Sequence, residues 1–256
     1  MLEPPELVRA ANDSFADSYR KPVAHIPGGA ATEFGGVFAF ASGLPMSLFN
    51  GCVVVRPASA RDLDAALTWI AARDVPYRVW IDEVRAPGLA DVALASGLER
   101  DAQPYPGMVL HPVPAPPSPA PGVVVVPVTE TGLHDHLAVR VADGLPAHLA
   151  GRLFSASFAA DPDVAFFTVL LDGRPVGVSI AIRSGTVGGV YAVGTLPDAR
   201  RRGVGTAATW ACVGAGISWG CDTIALQASD MGLPIYAAMG FRTVVEYAVF
   251  RQPARA

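Results

Sequence analysis

The residues best placed to do chemistry lie in the stretch Thr195–Trp210, TLPDARRRGVGTAATW. Arg200, Arg201 and Arg202 run into Gly203, Val204, Gly205 and Thr206. The apolar run GGVYAVGTL precedes this loop and a run of small residues follows it, which predicts a strand, a loop and a helix. A helix N-terminus presents unpaired N–H groups and the positive end of the helix dipole, so it favours anions. Gly203 and Gly205 remove side chains that would hold a phosphate away from those amides, and the arginines add charge beside them. The stretch therefore reads as a pyrophosphate cradle; a glycine-containing turn with a solvated arginine face is the plainer alternative. It is not a Walker A loop, which needs GxxxxGK[ST]. It is not a Rossmann fingerprint either, because residue 208 is Ala and the preceding strand follows two hairpins rather than opening a parallel sheet.

Other reactive side chains are sparse. Cys52, Cys212 and Cys221 have neither metal-ligand spacing nor a recognisable histidine partner, so no metal site and no thiol nucleophile are expected. His134, His136 and His148 fall in predicted helices and read as surface or internally satisfied histidines. Tyr236 lies four residues before Gly240-Phe241, and Glu246 lies on the last predicted strand.

The elements that must position these residues come next. The chain has 256 residues, 51% of them hydrophobic, enough for one large domain or two small ones. A formal net charge of −4 argues against a dedicated nucleic-acid binder. The N-terminal MLEPPELVRAANDSF has no basic segment followed by an apolar block, so no signal peptide is expected. No run of about 18 apolar residues is free of Gly, Pro or charge, so no membrane span is expected. With sparse cysteines, this reads as a cytoplasmic protein. The proline-rich stretch His111–Gly122 reads as a semi-rigid linker, giving an N-terminal half (1–111), a linker (112–122) and a C-terminal half (123–256). The second half reads β-α-α-β-β-β-α-β-α-β. Asp172-Gly173 and Ser184-Gly185 make its hairpin turns, and Gly240 closes its last helix. The first half reads more weakly, with a helix near residues 6–18, strands in GGVFAFASG, GCVVVRP, YRVWIDEV and GMVLHP, and a helix N-capped by Ser59.

Arg200-x-x-Gly203-x-Gly205 resembles the acyl-CoA-binding motif (Q/R)xxGx(G/A) of the GNAT N-acetyltransferase superfamily. The flanking strand and helix, and the ending Tyr236-x-x-x-Gly240-Phe241, resemble that family too. The resemblance implies an α/β mixed-sheet fold and an acetyl-CoA-dependent N-acetyltransferase that acts on a primary amine of a small molecule or peptide by direct attack. It implies that Val193, Gly194 and Thr195 offer backbone to the pantetheine arm, with Val193 as the oxyanion donor. Arg200, Arg201, Arg202, Gly203, Val204, Gly205 and Thr206 would form the pyrophosphate cradle. Tyr236 would protonate the leaving thiolate, and Glu246 is the candidate base. Asp230 stands where many members carry asparagine, which puts a side-chain role there in doubt. A non-catalytic acyl-CoA-binding regulatory module is the alternative.

The first half lays against the second as a degenerate copy: its counterpart loop, PASARDLDAAL, keeps Arg61 but puts Asp62 and Asp64 where the glycines would be. Two carboxylates there repel a pyrophosphate, so one active half and one inactive half are expected. No short motif identifies the acceptor, and the sequence allows a homodimer without requiring one.

Overall fold

The computed structural model describes residues 4–129 and 132–253. In the first part of the chain the elements are α1 (Pro4–Ala24), β1 (Ala30–Phe34), β2 (Val37–Ala41), β3 (Asn50–Val54), α2 (Ala60–Ala71), β4 (Arg78–Ile81), α3 (Leu89–Ala95), β5 (Glu99–Arg100) and β6 (Tyr105–Leu110). There follow β7 (Val123–Pro127), α4 (Leu133–Ala142), α5 (Ala147–Leu153), α6 (Ala156–Ala159), β8 (Val164–Leu171), β9 (Arg174–Ser184) and β10 (Val187–Thr195). The chain ends with α7 (Val204–Ser218), β11 (Thr223–Gln227), α8 (Leu233–Ala238) and β12 (Arg242–Arg251). Glu130 and Thr131, at the start of the first helix predicted for the second half, lie outside the described residues.

Contacts divide the chain into two compact units. One comprises Val109–Leu226 and Pro234–Arg242; the other comprises residues 4–108, Gln227–Leu233 and residues 243–253.

In the first of these units, β7, β8, β9 and β10 are antiparallel neighbours and β11 pairs parallel with β10. Asp172 and Gly173 both take positive φ, 52° and 84°, as a two-residue hairpin turn requires. α7 packs on one face of the sheet through very close contacts. A Cβ on Gly177 would sit 2.4 Å from Val204 Cγ1, and one on Gly188 would sit 3.1 Å from Gly216 Cα. Only glycine lets this helix lie so near the strands, which accounts for its small-residue sequence. Val169, Leu171, Val176, Val204 and Ala208 close the core between them. α4 lies on the opposite face, because strand alternation turns Val178 and Gly194 away from Gly177. The second helix predicted for this half is interrupted: Phe154 leaves helical geometry and Ser155 caps a new turn by accepting from Phe158 N–H.

The other unit repeats the order of three antiparallel strands, a helix, a parallel strand and a helix in β1, β2, β3, α2, β4 and α3. Leu63, Ala66 and Ile70 of α2 pack on Val37, Val79 and Ile81. Under α1 lies an aromatic layer in which Tyr19 stacks on Phe40 at 4.0 Å and Phe15 meets the edge of Trp80 at 5.6 Å. Fully burying side chains of this size contributes about 1.5–3 kcal/mol each. β12, read from sequence as the last strand of the second half, pairs antiparallel with β4 in this unit, with Val249 opposite Trp80. Tyr247 on β12 is fully buried and donates to Asn12 Oδ1 at 2.5 Å.

Candidate active site

β10 and β11 hold each other only at Val187–Gly189 and Thr223–Ala225. Beyond Gly189, β10 runs on to Thr195 with its β11-facing edge unpaired by that strand. Its other edge stays bonded to β9, with a register shift between Tyr191 and Gly194. Ala192 sits at that shift with φ 52°, in a region a non-glycine residue rarely enters. A bulge of this kind re-aims the backbone, here in a strand edge free to receive an extended ligand. Val193 turns its side chain toward the core under α7, and Gly194 faces α4.

Past Thr195, a short turn at Pro197–Ala199 leads to Arg200. Arg201 (φ 61°) and Gly203 (φ 81°) both take left-handed backbone. Gly203 is the N-cap of α7 and offers no side-chain cap, so the amides of Val204, Gly205 and Thr206 face outward without an intrahelical acceptor. Two arginines are engaged by the protein. Arg200 donates to Thr195 O at 3.3 Å, and Arg202 donates to Asp172 Oδ2 at 2.9 Å. Arg201 is exposed and makes no ion pair among the described residues. The arrangement brings three amides, the positive end of a helix dipole and the Arg201 guanidinium together, the donors and charge that suit an anion.

The helix start at α2 in the other unit is capped by side chains. At the start of α2, Ser59 Oγ accepts from Asp62 N–H, and Asp62 Oδ2 accepts from Ser59 N–H at 2.8 Å. Those hydrogen bonds from Ser59 hold the Asp62 carboxyl below its usual range. This capping box takes up the Ser59 amide with a carboxylate and the Asp62 amide with a hydroxyl, and it puts a negative charge at the helix start.

Among the described residues, 138–232 match the family model described as an acetyltransferase (GNAT) domain. The matched part holds β8, β9, β10, α7 and β11, so it resembles that family over the strands and helix that carry the loop. The match ends before Tyr236 and Glu246. No curated protein matches the chain. Solved structures with a similar fold include a GCN5-related N-acetyltransferase from Kribbella flavida, 20% identical with TM-score 0.71 over 96% of both chains. Another, from Sphaerobacter thermophilus, is 17% identical with TM-score 0.61 over 86% of this chain and 78% of its own. A tandem GNAT protein from the clavulanic acid biosynthesis pathway is 14% identical with TM-score 0.59 over 98% of this chain and 96% of its own.

Tyr236 lies on α8, half-buried, with its ring edge-on to Phe241 at 6.0 Å. Phe241 N–H returns to Tyr236 O at 3.0 Å, and Gly240 takes φ 96°, which closes the helix as its Tyr-x-x-x-Gly-Phe ending predicts. Glu246 is exposed on β12 in the other unit. Asp230 is exposed after β11, also outside the unit that holds the cradle. The cysteines are buried and free; burial pushes the Cys212 thiol up to about 12, so it is no nucleophile near neutral pH. No cluster of metal-ligating side chains occurs among the described residues.

The sequence reading missed a buried polar group on α4. Arg140 is 8% exposed, and its Nε and Nη2 have no hydrogen-bond partner. Its guanidinium lies over the Phe154 ring at 4.9 Å, and Nη1 reaches within 3.2 Å of where a Gly194 Cβ would be. Asp143 Oδ2 comes within 2.8 Å of the same point. Glycine at 194 thus lets a buried cation and a carboxylate press against the free-edged part of β10. Burial pulls Arg140 down to about 10, with Asp143 opposing the shift, so it stays charged at neutral pH. His136, one turn earlier, is fully buried and donates from Nδ1 to Phe167 O at 3.2 Å, while Nε2 has no partner. Burial, with Arg140 adding to it, drives its pKa to about 3. The signal available in sequence was the four-residue spacing of His136 and Arg140, which puts both on one helix face with Val139 adjoining.

Proposed function

We propose that the chain transfers an acetyl group from acetyl-CoA to a primary amine of a small molecule or peptide. The observation that carries the reading is the free-edged, bulged strand β10 leading directly into an uncapped, left-handed helix start. In this reading the pantetheine arm bonds the β10 edge at Val193, Gly194 and Thr195. The pyrophosphate rests on the amides of Gly203–Thr206 with Arg201 beside it. The neutral amine attacks the thioester carbon, and the carbonyl oxygen takes the charge. The Val193 N–H stabilises that oxyanion. The amine proton passes to Glu246 or to water, the C–S bond breaks, and Tyr236 gives its proton to the departing sulfur. We further propose that the two units are tandem GNAT-like halves divided near residues 112–122, and that the half whose helix start is capped by Ser59 and Asp62 binds no acyl-CoA. The C-terminal strand closes the sheet of that half.

The test is release of free CoA thiol over a panel of amines, with Tyr236→Phe beside wild type. Turnover with at least one amine, reduced about 10²-fold or more in Tyr236→Phe, is expected. Tight acetyl-CoA binding without turnover on any amine would instead identify a regulatory acyl-CoA-binding module.

A further inference from the structure

The buried charge on α4 has no part in holding acyl-CoA in the account above. Arg140 is 8% exposed, and Nε and Nη2, the two donors of one edge of its guanidinium fork, have no hydrogen-bond partner. Burying a charged fork without an acceptor is costly, and folded chains leave few such groups unpaired. Asp143 does not bond that edge. Its Oδ2 and Arg140 Nη1, at the other end of the guanidinium, come within 2.8 Å and 3.2 Å of where a Gly194 Cβ would be. Asp143 Oδ1 lies 3.9 Å from Arg200 Nη2. The Phe154 ring backs the guanidinium at 4.9 Å and competes for none of its donors. Thr168 adds a hydroxyl. Strand register puts Thr168, Val178 and Gly194 in one row across β8, β9 and β10, so all three face α4, and Thr168 Oγ1 is buried without a partner. The other face of the sheet is closed here, because Val193 packs under α7 with Val204 and Ala208. An amine that reaches an acyl group lying at Val193 therefore comes over the α4 face or along the strand edge, and the charged groups beside Gly194 are Arg140 and Asp143.

We propose that the acceptor is an α-amino acid whose carboxylate binds the unpaired edge of Arg140; the inference rests on the acetyltransferase reading above. A carboxylate takes the parallel N–H groups of Nε and Nη2 in the bidentate geometry that arginine offers and lysine does not. The amino group lies toward Asp143 and loses its proton before it attacks. The span agrees: in an α-amino acid the nitrogen is two bonds from the carboxylate carbon. Gly194, against the guanidinium, directly follows Val193, the proposed oxyanion donor. Glycine at 194 leaves the guanidinium and a ligand on the strand edge side by side. Ordered water on the fork is the competing occupant, and water would give no preference among acceptors.

The experiment measures release of CoA thiol by the whole chain with the common L-amino acids and with their α-carboxamides as acceptors. A carboxamide keeps the α-nitrogen and sheds only the charge. Its amine is also neutral at lower pH, so intrinsic reactivity favours the carboxamide and a preference for the acid comes from binding. Wild type is expected to prefer at least one acid over its carboxamide by about 10- to 100-fold in kcat/KM, carried by KM. Two variants are compared: Arg140→Met, which fills similar space without charge, and Arg140→Lys, which keeps the charge without the fork. Arg140→Met is expected to abolish the preference, and Arg140→Lys to retain part of it. The wild-type ratio decides by itself if either variant fails to fold. Equal kcat/KM for acid and carboxamide overturns the inference and leaves the acetyltransferase reading in place. So does turnover confined to amines without a carboxylate, or a preference that Arg140→Met keeps. If neither these acceptors nor any other amine releases CoA, the acetyltransferase reading falls and this inference with it.

Discussion

Substituting alanine at the two cradle glycines separates backbone strain from simple space. Gly203 has φ 81°, and a Cβ there would meet Ala120 Cβ at 3.0 Å. Alanine in left-handed backbone costs about 1–2 kcal/mol, and the chain at Ala120 must also give by a few tenths of an ångström. Gly205 is different: it lies inside the first turn of α7, and its Cβ would meet only Thr195 Oγ1, at an ordinary 3.5 Å. Gly→Ala in a helix gains up to about 1 kcal/mol. The two variants should therefore differ by about 2 kcal/mol in opposite directions. For a chain of this length that is about 4–8 °C in Tm, with Gly203→Ala below wild type and Gly205→Ala level or above. Scanning calorimetry without ligand measures this. Gly203→Ala should also raise the acetyl-CoA Kd, because relief of the strain swings the first-turn amides away. Equal melting temperatures for the two variants would refute the left-handed helix start on which the cradle depends.

Three further outcomes are expected. His136 has a folded pKa of about 3 against an ordinary 6.5, so its contribution to stability is whole above pH 6.5 and is lost as pH falls toward 3. Its share of the slope is about 1.4 kcal/mol per pH unit between roughly pH 6 and 4, and urea titrations of His136→Phe should show a flatter profile there than wild type. Gly194→Ala should cost about 1–3 kcal/mol, because its methyl group meets Asp143 Oδ2 at 2.8 Å. Adding Asp143→Ala should recover part of that loss, and a strictly additive double mutant would mean the contact is not the cause. Glu246→Gln should leave acetyl-CoA binding unchanged and lower kcat/KM for the amine by about 10²-fold; an unaltered rate assigns the proton to water instead.

What could be read from the sequence was local. The strand–loop–helix turn around Gly203, the Asp172-Gly173 turn, the Ser59 cap and the Gly240 helix ending each depend on a few adjacent residues whose backbone demands are specific. The partner of β12 was not readable. Its alternating pattern satisfies any sheet with a free edge, and Tyr247 finds Asn12 across 235 positions of chain. β1 was missed because Ala30–Phe34 alternates only weakly and no residue in it is fully buried. The proline-rich stretch was legible as extended, but what holds its ends was not, because those bonds are long-range: the His111 side chain to Asp222 O, and the Asp172 N–H to Gly122 O. Arg140 was hidden for a similar reason: an arginine on a helix reads as solvated until tertiary packing closes over it.

The most direct measurement is calorimetric titration of wild-type chain with acetyl-CoA, followed by thiol release over the amine panel in the same preparation. The account predicts one acetyl-CoA bound per chain, with affinity lowered in Gly203→Ala, and turnover that falls in Tyr236→Phe at unchanged stoichiometry. No detectable binding, or binding that Gly203→Ala leaves untouched, would contradict it.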